Sequence, residues 1–205
     1  MLFWNSYLAT RSKAPTSEDF DELSKLMKYL DTSGNWGIRY KKGVRAAIKE
    51  WCDSAHSLYL DGRGQMGLCM NLGSGMVFAK SNVIRIITLS STESEWYCMC
   101  EGTTYIIWMI SFMENLGFKA RKRPVPRMYE DNNSAIWWSR EDMTFARTKH
   151  LMIKKNFVKE AVEAGVMVVM SCDTKEMPAD MLTKPMQSNT AARHMSMMGM
   201  EVVSE

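Results

Sequence analysis

The fold of this chain is decided by residues 48–87, which read IKEWCDSAHSLYLDGRGQMGLCMNLGSGMVFAKSNVIRII. Three strand-like runs lie in this stretch, at Ile48–Ala55, at Gln65–Leu72 and at 76–87. Glycine-containing breaks separate the runs, at Asp61-Gly62 and at Gly73-Ser74-Gly75, and such breaks favour the tight turns of hairpins. We therefore predict an antiparallel meander of three strands.

The sequence after residue 87 alternates between helical and strand-like segments. We predict a helix at 92–116 that ends before Gly117, a strand at 125–130, a helix N-capped by Ser134, a helix at 151–164, a strand at 166–171 and a last helix that begins near Pro178. Together with the meander, these elements predict an α/β fold. Its five-stranded mixed sheet has three antiparallel and two parallel strands and is flanked by helices.

Two flanking segments complete the predicted organisation. Residues 1–46 are interpreted as a helical lead-in, because apolar residues recur there at helical spacing. These residues are Phe20, Leu23, Leu26, Met27 and Leu30. The main domain is expected at 47–187, followed by a C-terminal tail at 188–205.

The composition of the 205-residue chain is that of an ordinary globular protein, with 46% apolar and 24% charged residues. Its net charge of +3 is too small to require a nucleic-acid partner by itself. The most apolar segment, 105–113, is about half as long as the roughly 20 residues that span a bilayer. The N terminus does not match a signal peptide, and the five cysteines form no CxxC pair. We therefore expect a soluble intracellular protein, cytoplasmic or nuclear, that does not act at a membrane.

Carboxylates at the ends of strands are the candidate functional residues. Asp53 interrupts the apolar first strand, Asp131 ends the fourth strand and Asp180 lies on the predicted last helix. A carboxylate in such a position costs several kcal/mol unless a positive charge, often a metal ion, compensates it. Glu130 is expected to point to the opposite side of its strand and to be a surface carboxylate.

The helix at 92–116 offers a fourth carboxylate from either Glu93 or Glu95. The two side chains lie about 200° apart around the helix, so only one of them can face the site. Ser90 with Glu93 makes a capping box, which leaves Glu95 for chemistry, but Thr92 with Glu95 makes one too. Capping therefore favours Glu95 only slightly.

Four motifs resemble the ribonuclease H domain of copia-type retrotransposon polyproteins. They are TLSSTESEWY (88–97), YEDNNSAI (129–136), ARTKHLMIKKNFVKE (146–160) and MPADMLTKPM (177–186), and they keep that family's order and approximate spacing. The lead-in, with YLATRSK (7–13) and LSKLMKYLDTSGNWGIRYKK (23–42), resembles the end of a reverse transcriptase domain. The resemblance implies a ribonuclease H-like fold.

The resemblance also implies an activity and a set of site residues. It assigns Asp53, Glu95, Asp131 and Asp180 as catalytic residues that hold two Mg²⁺ ions, with Mn²⁺ as the alternative, since oxygen-only ligands suit these cations. The implied function is metal-dependent hydrolysis of the RNA strand of RNA/DNA hybrids by part of a Pol polyprotein. Ser91, Thr92, Asn132 and Asn133 are the implied substrate-binding residues.

Two partners and one alternative function accompany this interpretation. The partners are the RNA/DNA hybrid duplex and the reverse transcriptase portion of the same polyprotein. The alternative is a catalytically inactive, nucleic-acid-binding remnant of a decayed element, which the altered first motif, CDSAHSLYLDGRGQMG (52–67), favours. The nearby Asp61 is a poor substitute ligand because it lies beyond the strand, and His194 is expected in the tail, without a role in the site.

Overall fold

The computed structural model describes residues 1–118, 124–140 and 149–203. Its helices are α1 (Leu2–Arg11), α2 (Ser17–Thr32), α3 (Ser91–Asn115), α4 (Asn133–Trp138), α5 (Lys149–Glu163) and α6 (Ser188–Met197). Its strands are β1 (Trp36–Ile38), β2 (Ile48–Ala55), β3 (Gln65–Leu72), β4 (Met76–Val83), β5 (Arg127–Glu130), β6 (Val168–Ser171) and β7 (Met200–Val202). Two short 3₁₀ helices, Thr174–Glu176 and Pro178–Leu182, lie between β6 and α6.

The main sheet has five strands in the order β4-β3-β2-β5-β6. Strands β2, β3 and β4 pair antiparallel, whereas β5 runs parallel to β2 and β6 runs parallel to β5. The predicted α/β fold with a five-stranded mixed sheet is therefore confirmed.

Helix α3 covers one face of this sheet and supplies much of the core. Its N-cap is Ser90, whose hydroxyl accepts a hydrogen bond from the Glu93 amide at 3.2 Å. The helix ends before Gly117, which adopts a left-handed φ of +87° as a C-terminal glycine should. Buried residues of α3, including Trp96, belong to the same apolar cluster as Leu68 of β3. The burial of this long helix fixes where its first turns lie relative to the strand ends.

The 3₁₀ helix Pro178–Leu182 packs against the opposite face of the sheet, where it contacts β2 and β3. The helix predicted to begin near Pro178 does begin there, but it is a 3₁₀ helix of five residues and α6 follows it as the last helix. Pro185 explains the early end, because a proline cannot donate a backbone hydrogen bond and disfavours helical geometry in the preceding residue, Lys184. Asp180 therefore lies on a tight turn that Gly67 of β3 allows to approach the sheet closely.

Smaller differences concern caps and the chain termini. The N-cap of α4 is Asn132 and not Ser134 as predicted, because the Asn132 side-chain oxygen accepts hydrogen bonds from the amides of Ser134 and Ala135. Strands β1 and β7, which the sequence analysis missed, form a separate two-stranded antiparallel sheet. This sheet joins the lead-in to the segment after residue 188.

Within the described residues, no helix combines the length and the apolar character that crossing a bilayer requires.

Candidate active site

Three of the four predicted carboxylates converge at one end of the main sheet. Asp53 of β2, Glu95 of α3 and Asp131, which directly follows β5, each place one carboxylate oxygen within 4.8 Å of the other two. Asp53 and Glu95 are buried, and Asp131 is half-buried. Of the two glutamates at the start of α3, Glu95 lies in the cluster. The Glu93 carboxylate instead accepts a hydrogen bond from the Leu89 amide at 2.7 Å.

The parallel pairing of β2 and β5 brings two of these residues together. Trp51 pairs with Tyr129 in the strand register, and their rings stack with centroids 5.1 Å apart. Asp53 and Asp131 each follow two residues later, at the carboxyl ends of neighbouring parallel strands. The register therefore places the two carboxylates side by side.

Asp180 adjoins this group without belonging to the three-carboxylate cluster. It is buried, and its Oδ1 atom lies 2.8 Å from Nζ of Lys184. In the same turn, the hydroxyl of Thr183 donates a hydrogen bond to Oδ2 of Asp53. The turn carrying Asp180 is thus tied to the end of β2.

Burial and mutual repulsion change the acidity of the clustered groups. Burial and the nearby charge of Asp180 raise the pKa of Asp53 to about 7, although the Thr183 hydrogen bond opposes the change. Burial, followed by the charges of Glu130 and Asp53, raises the pKa of Glu95 well above its ordinary value. Partial burial lowers the pKa of Lys184, but its ion pair with Asp180 and the charges of Asp53 and Asp131 outweigh that effect and raise the pKa. Such perturbed groups, gathered in one place, are typical of functional sites that bind cations.

Comparisons with known proteins find relatives of the chain among transposon polyproteins. The chain is 29% identical over 178 residues to the retrovirus-related Pol polyprotein from transposon RE1 of Arabidopsis thaliana, and the match covers 86% of the chain and 12% of that polyprotein. It is also 29% identical over 177 residues to the retrovirus-related Pol polyprotein from transposon TNT 1-94 of Nicotiana tabacum, covering 85% of the chain and 13% of the polyprotein. No protein-family model matches the chain.

Among solved structures, LC11-RNase H1, isolated from compost by a metagenomic approach, superimposes with a TM-score of 0.51 at 11% identity. The superposition covers 67% of this chain and 93% of that one. The chain has a ribonuclease H-like fold. The predicted resemblance to retrotransposon Pol polyproteins is confirmed as well, and the chain spans only about an eighth of the length of those relatives.

In this ribonuclease H-like domain, Glu130 is not the surface carboxylate that strand alternation predicted. Its side chain is completely buried, where Oε1 accepts a hydrogen bond from the Asn132 amide at 3.0 Å and Oε2 accepts one from the Cys52 thiol at 3.3 Å. Burial raises the pKa of Glu130 to about 8. The expected exposure was wrong because β5 lies inside the sheet, between β2 and β6, and α3 covers the face to which Glu130 points.

The predicted substrate-binding residues lie close in sequence to Glu95 and Asp131, and their role stays a prediction. Ser91 and Asn133 are exposed at the first turns of α3 and α4, and Thr92 is half-exposed. Asn132 is half-buried and caps α4. Its side-chain oxygen accepts hydrogen bonds from the amides of Ser134 at 3.0 Å and Ala135 at 3.2 Å.

Three polar residues that hold the carboxylates were not identified from the sequence. Thr174 donates its hydroxyl to Oδ2 of Asp131 at 2.7 Å. Thr183 and Lys184 contact Asp53 and Asp180. For Thr183 and Lys184, the available signal was their spacing of three and four residues after Asp180, because a helical turn brings residues at that spacing close together.

Two further residues were assessed from the sequence and can now be placed. Asp61 is exposed and forms an ion pair with Arg63 at 2.6 Å, away from the cluster. His194, which was expected in the C-terminal tail, lies on α6, where its side chain is buried with 1% exposed. Burial lowers the pKa of His194.

The donor set fits a hard divalent cation. Asp53, Glu95 and Asp131 offer only oxygen ligands, which Mg²⁺ and Mn²⁺ prefer. Oε2 of Glu95 is buried and has no hydrogen-bond partner among the described residues. A buried carboxylate oxygen of this kind needs a positive partner, and a cation bound by the cluster would provide one.

Proposed function

We propose that this chain is the ribonuclease H part of a copia-type retrotransposon Pol polyprotein and hydrolyses the RNA strand of RNA/DNA hybrids. The observation that carries the proposal is the convergence of Asp53, Glu95 and Asp131 from three separate elements, within 4.8 Å, on a ribonuclease H-like fold. Carboxylates that repel one another are costly to bury together. Their convergence is therefore readily explained by a function that brings cations to the site.

In this proposal, Asp53, Glu95, Asp131 and Asp180 hold two Mg²⁺ ions, or Mn²⁺ in their place. Bound ions supply Lewis-acid stabilisation of the charge that develops on the scissile phosphate. The chain's own contribution is to orient the ligands. The hydroxyl of Thr183 fixes the Asp53 carboxylate, and the hydroxyl of Thr174 fixes that of Asp131.

Substrate recognition is assigned to Ser91, Thr92, Asn132 and Asn133. Hybrid duplexes present a wide minor groove lined with 2′-hydroxyls, which hydroxyl and amide side chains can bind. The exposure of Ser91 and Asn133 beside the carboxylates supports this assignment. Sequence preference should be weak, because such contacts do not read base edges.

A second partner is the reverse transcriptase portion of the polyprotein. Helix α2 has no buried residue, and Phe20, Leu23 and Met27 expose 59%, 42% and 58% of their surfaces. An apolar helix face of this kind commonly marks a protein interface. An intracellular site of action, where reverse transcription produces hybrids, accompanies the proposal.

Cleavage of an end-labelled RNA/DNA hybrid tests the proposed function. Purified chain should cut the RNA strand only when Mg²⁺ or Mn²⁺ is present, leave single-stranded RNA intact and lose activity in Asp53→Asn. Circular dichroism shows whether the variant is folded. A folded wild-type chain that binds the hybrid without cutting it would instead identify the inactive, nucleic-acid-binding remnant.

A further inference from the structure

The four carboxylates of the proposed metal site are not equivalent in this structure. Asp53, Glu95 and Asp131 form a compact cluster that Asp180 does not join. Asp180 instead has a cationic neighbour within the chain, since its Oδ1 atom lies 2.8 Å from Nζ of Lys184. The site thus contains three clustered anionic ligands and one anion–cation pair.

The backbone holds Lys184 close to Asp180. Its amide donates a hydrogen bond to the Asp180 carbonyl oxygen at 3.3 Å, which closes the turn after the 3₁₀ helix Pro178–Leu182. Pro185 follows directly and restricts the backbone of Lys184. The turn therefore keeps the Lys184 backbone beside Asp180, within reach of an ion pair between the two side chains.

The ammonium group also faces more than its direct partner. The charges of Asp53 and Asp131, together with that of Asp180, all stabilise the charged form of Lys184. The side chain of Lys184 remains 46% exposed, whereas that of Asp180 is 7% exposed. The ammonium group can therefore move towards solvent while the carboxylate stays in the site.

The geometry points to Lys184 as a positioning residue that acts as a built-in counter-cation at Asp180 and weakens binding of the second divalent ion. This inference rests on the proposed metal site. The first divalent ion binds the cluster of Asp53, Glu95 and Asp131. Among the described residues, no lysine forms an ion pair with these three carboxylates as Lys184 does with Asp180. The second ion must displace the ammonium group from Asp180 before it gains that ligand. Because of Lys184, the second divalent ion binds only at a higher cation concentration than the first.

Binding of Mn²⁺ to the full chain, followed by electron paramagnetic resonance of the free ion, tests this inference without an activity assay. We expect Lys184→Met to bind the second Mn²⁺ about tenfold more tightly than wild type, since one partly solvent-screened unit charge is removed beside the ligand. Lys184→Arg should keep the wild-type affinity. Lys28→Met, on the exposed side of α2, makes the same change in net charge and should also behave as wild type.

Metal-dependent stability gives a second readout. Lys184→Met should melt at a lower temperature than wild type without metal and gain more from added Mn²⁺, because tighter binding to the folded state stabilises it further. Lys184→Gln repeats the test if the methionine variant does not fold. Coincident Mn²⁺ titrations of wild type and both neutral variants would refute the role of Lys184 alone. A folded wild type that binds no Mn²⁺ would refute the proposed metal site itself.

Discussion

The hydroxyl of Thr183 donates a hydrogen bond to the carboxylate of Asp53, 130 residues earlier in the chain. It joins the turn that carries Asp180 to the strand that carries the central carboxylate of the cluster. This hydrogen bond stabilises the ionised carboxylate and so lowers the pKa of Asp53, against the effects of burial and of Asp180. Thr183 therefore links the folding of the C-terminal turn to the charge state of the site.

Replacing Thr183 with valine removes this donor while keeping the shape of the side chain. We expect Thr183→Val to lower hybrid cleavage by about tenfold, since residues that orient ligands typically contribute that much. It should lower the free energy of unfolding by about 1 kcal/mol. Urea denaturation and single-turnover cleavage measure the two effects.

Thr103 offers a matched control for Thr183. It is also fully buried, and its hydroxyl bonds to the Met99 carbonyl oxygen within α3 at 2.8 Å. Thr103→Val should therefore leave the cleavage rate unchanged. Equal losses of activity in both variants would mean that Thr183 acts through general stability only.

Gly67 of β3 should be required for the approach of the turn that carries Asp180. A Cβ atom at this position would lie 2.7 Å from the Ala179 carbonyl oxygen and 2.9 Å from Cγ2 of Thr183. We expect Gly67→Ala to displace the turn, to cost about 2 kcal/mol of stability and to weaken Mn²⁺ binding. Thermal melting with and without Mn²⁺ measures both consequences.

Gly34→Ala is the corresponding control, because a Cβ atom there meets only the Leu30 carbonyl oxygen at 3.9 Å. It should melt close to wild type. A Gly67→Ala variant with wild-type stability and Mn²⁺ affinity would show that the turn does not depend on close packing against β3.

Much of the fold could be predicted because its signals are local. Glycine-containing turns separate β2, β3 and β4, and Gly117 marks the end of α3. The short 3₁₀ form of the helix that begins at Pro178 was not predicted, although Pro185 lies close enough to limit its length. The pairing of β1 with β7 was missed because it joins three-residue strands that lie far apart in the chain, where Trp36 pairs with Val202 and Ile38 pairs with Met200.

The site was predictable to the extent that its residues occur in motifs. Asp53, Glu95 and Asp131 were identified, and the structure brings them together. The burial of Glu130 was not predicted, because alternation along a strand shows which residues share a face but not whether that face is covered. The hydrogen bond from Thr174 to Asp131 depends on tertiary contact between the 3₁₀ helix Thr174–Glu176 and the residue after β5, which no local pattern reports.

Glu50 in the middle of β2 should destabilise the folded protein at neutral pH. It is fully buried, and within the described part of the chain neither of its carboxylate oxygens has a hydrogen-bond partner. Burial raises its pKa well above the ordinary value of 4.5. The folded state therefore retains a proton that the unfolded chain releases, so the associated stability is complete below pH 4.5 and is lost as the pH rises.

Glu50→Gln removes this titration and should raise the free energy of unfolding at pH 8, because the neutral amide has no proton to lose in the unfolded chain. The gain should shrink as the pH falls through 4.5, because Glu50 is protonated in both states only below that pH. Urea denaturation across this pH range measures the difference. Glu160→Gln, an exposed carboxylate on α5, should show no such trend, and a gain at Glu50 that is independent of pH would contradict the assignment.

The most direct test of the account compares Glu95→Gln with Glu93→Gln in the Mg²⁺-dependent hybrid cleavage assay. The two changes are chemically identical and lie two residues apart, but only Glu95 belongs to the carboxylate cluster, whereas Glu93 bonds to the Leu89 amide. We predict that Glu95→Gln lowers the cleavage rate about 10²-fold or more, while Glu93→Gln cuts at close to the wild-type rate. Full activity in a folded Glu95→Gln variant would contradict the assignment of the cluster as the catalytic site.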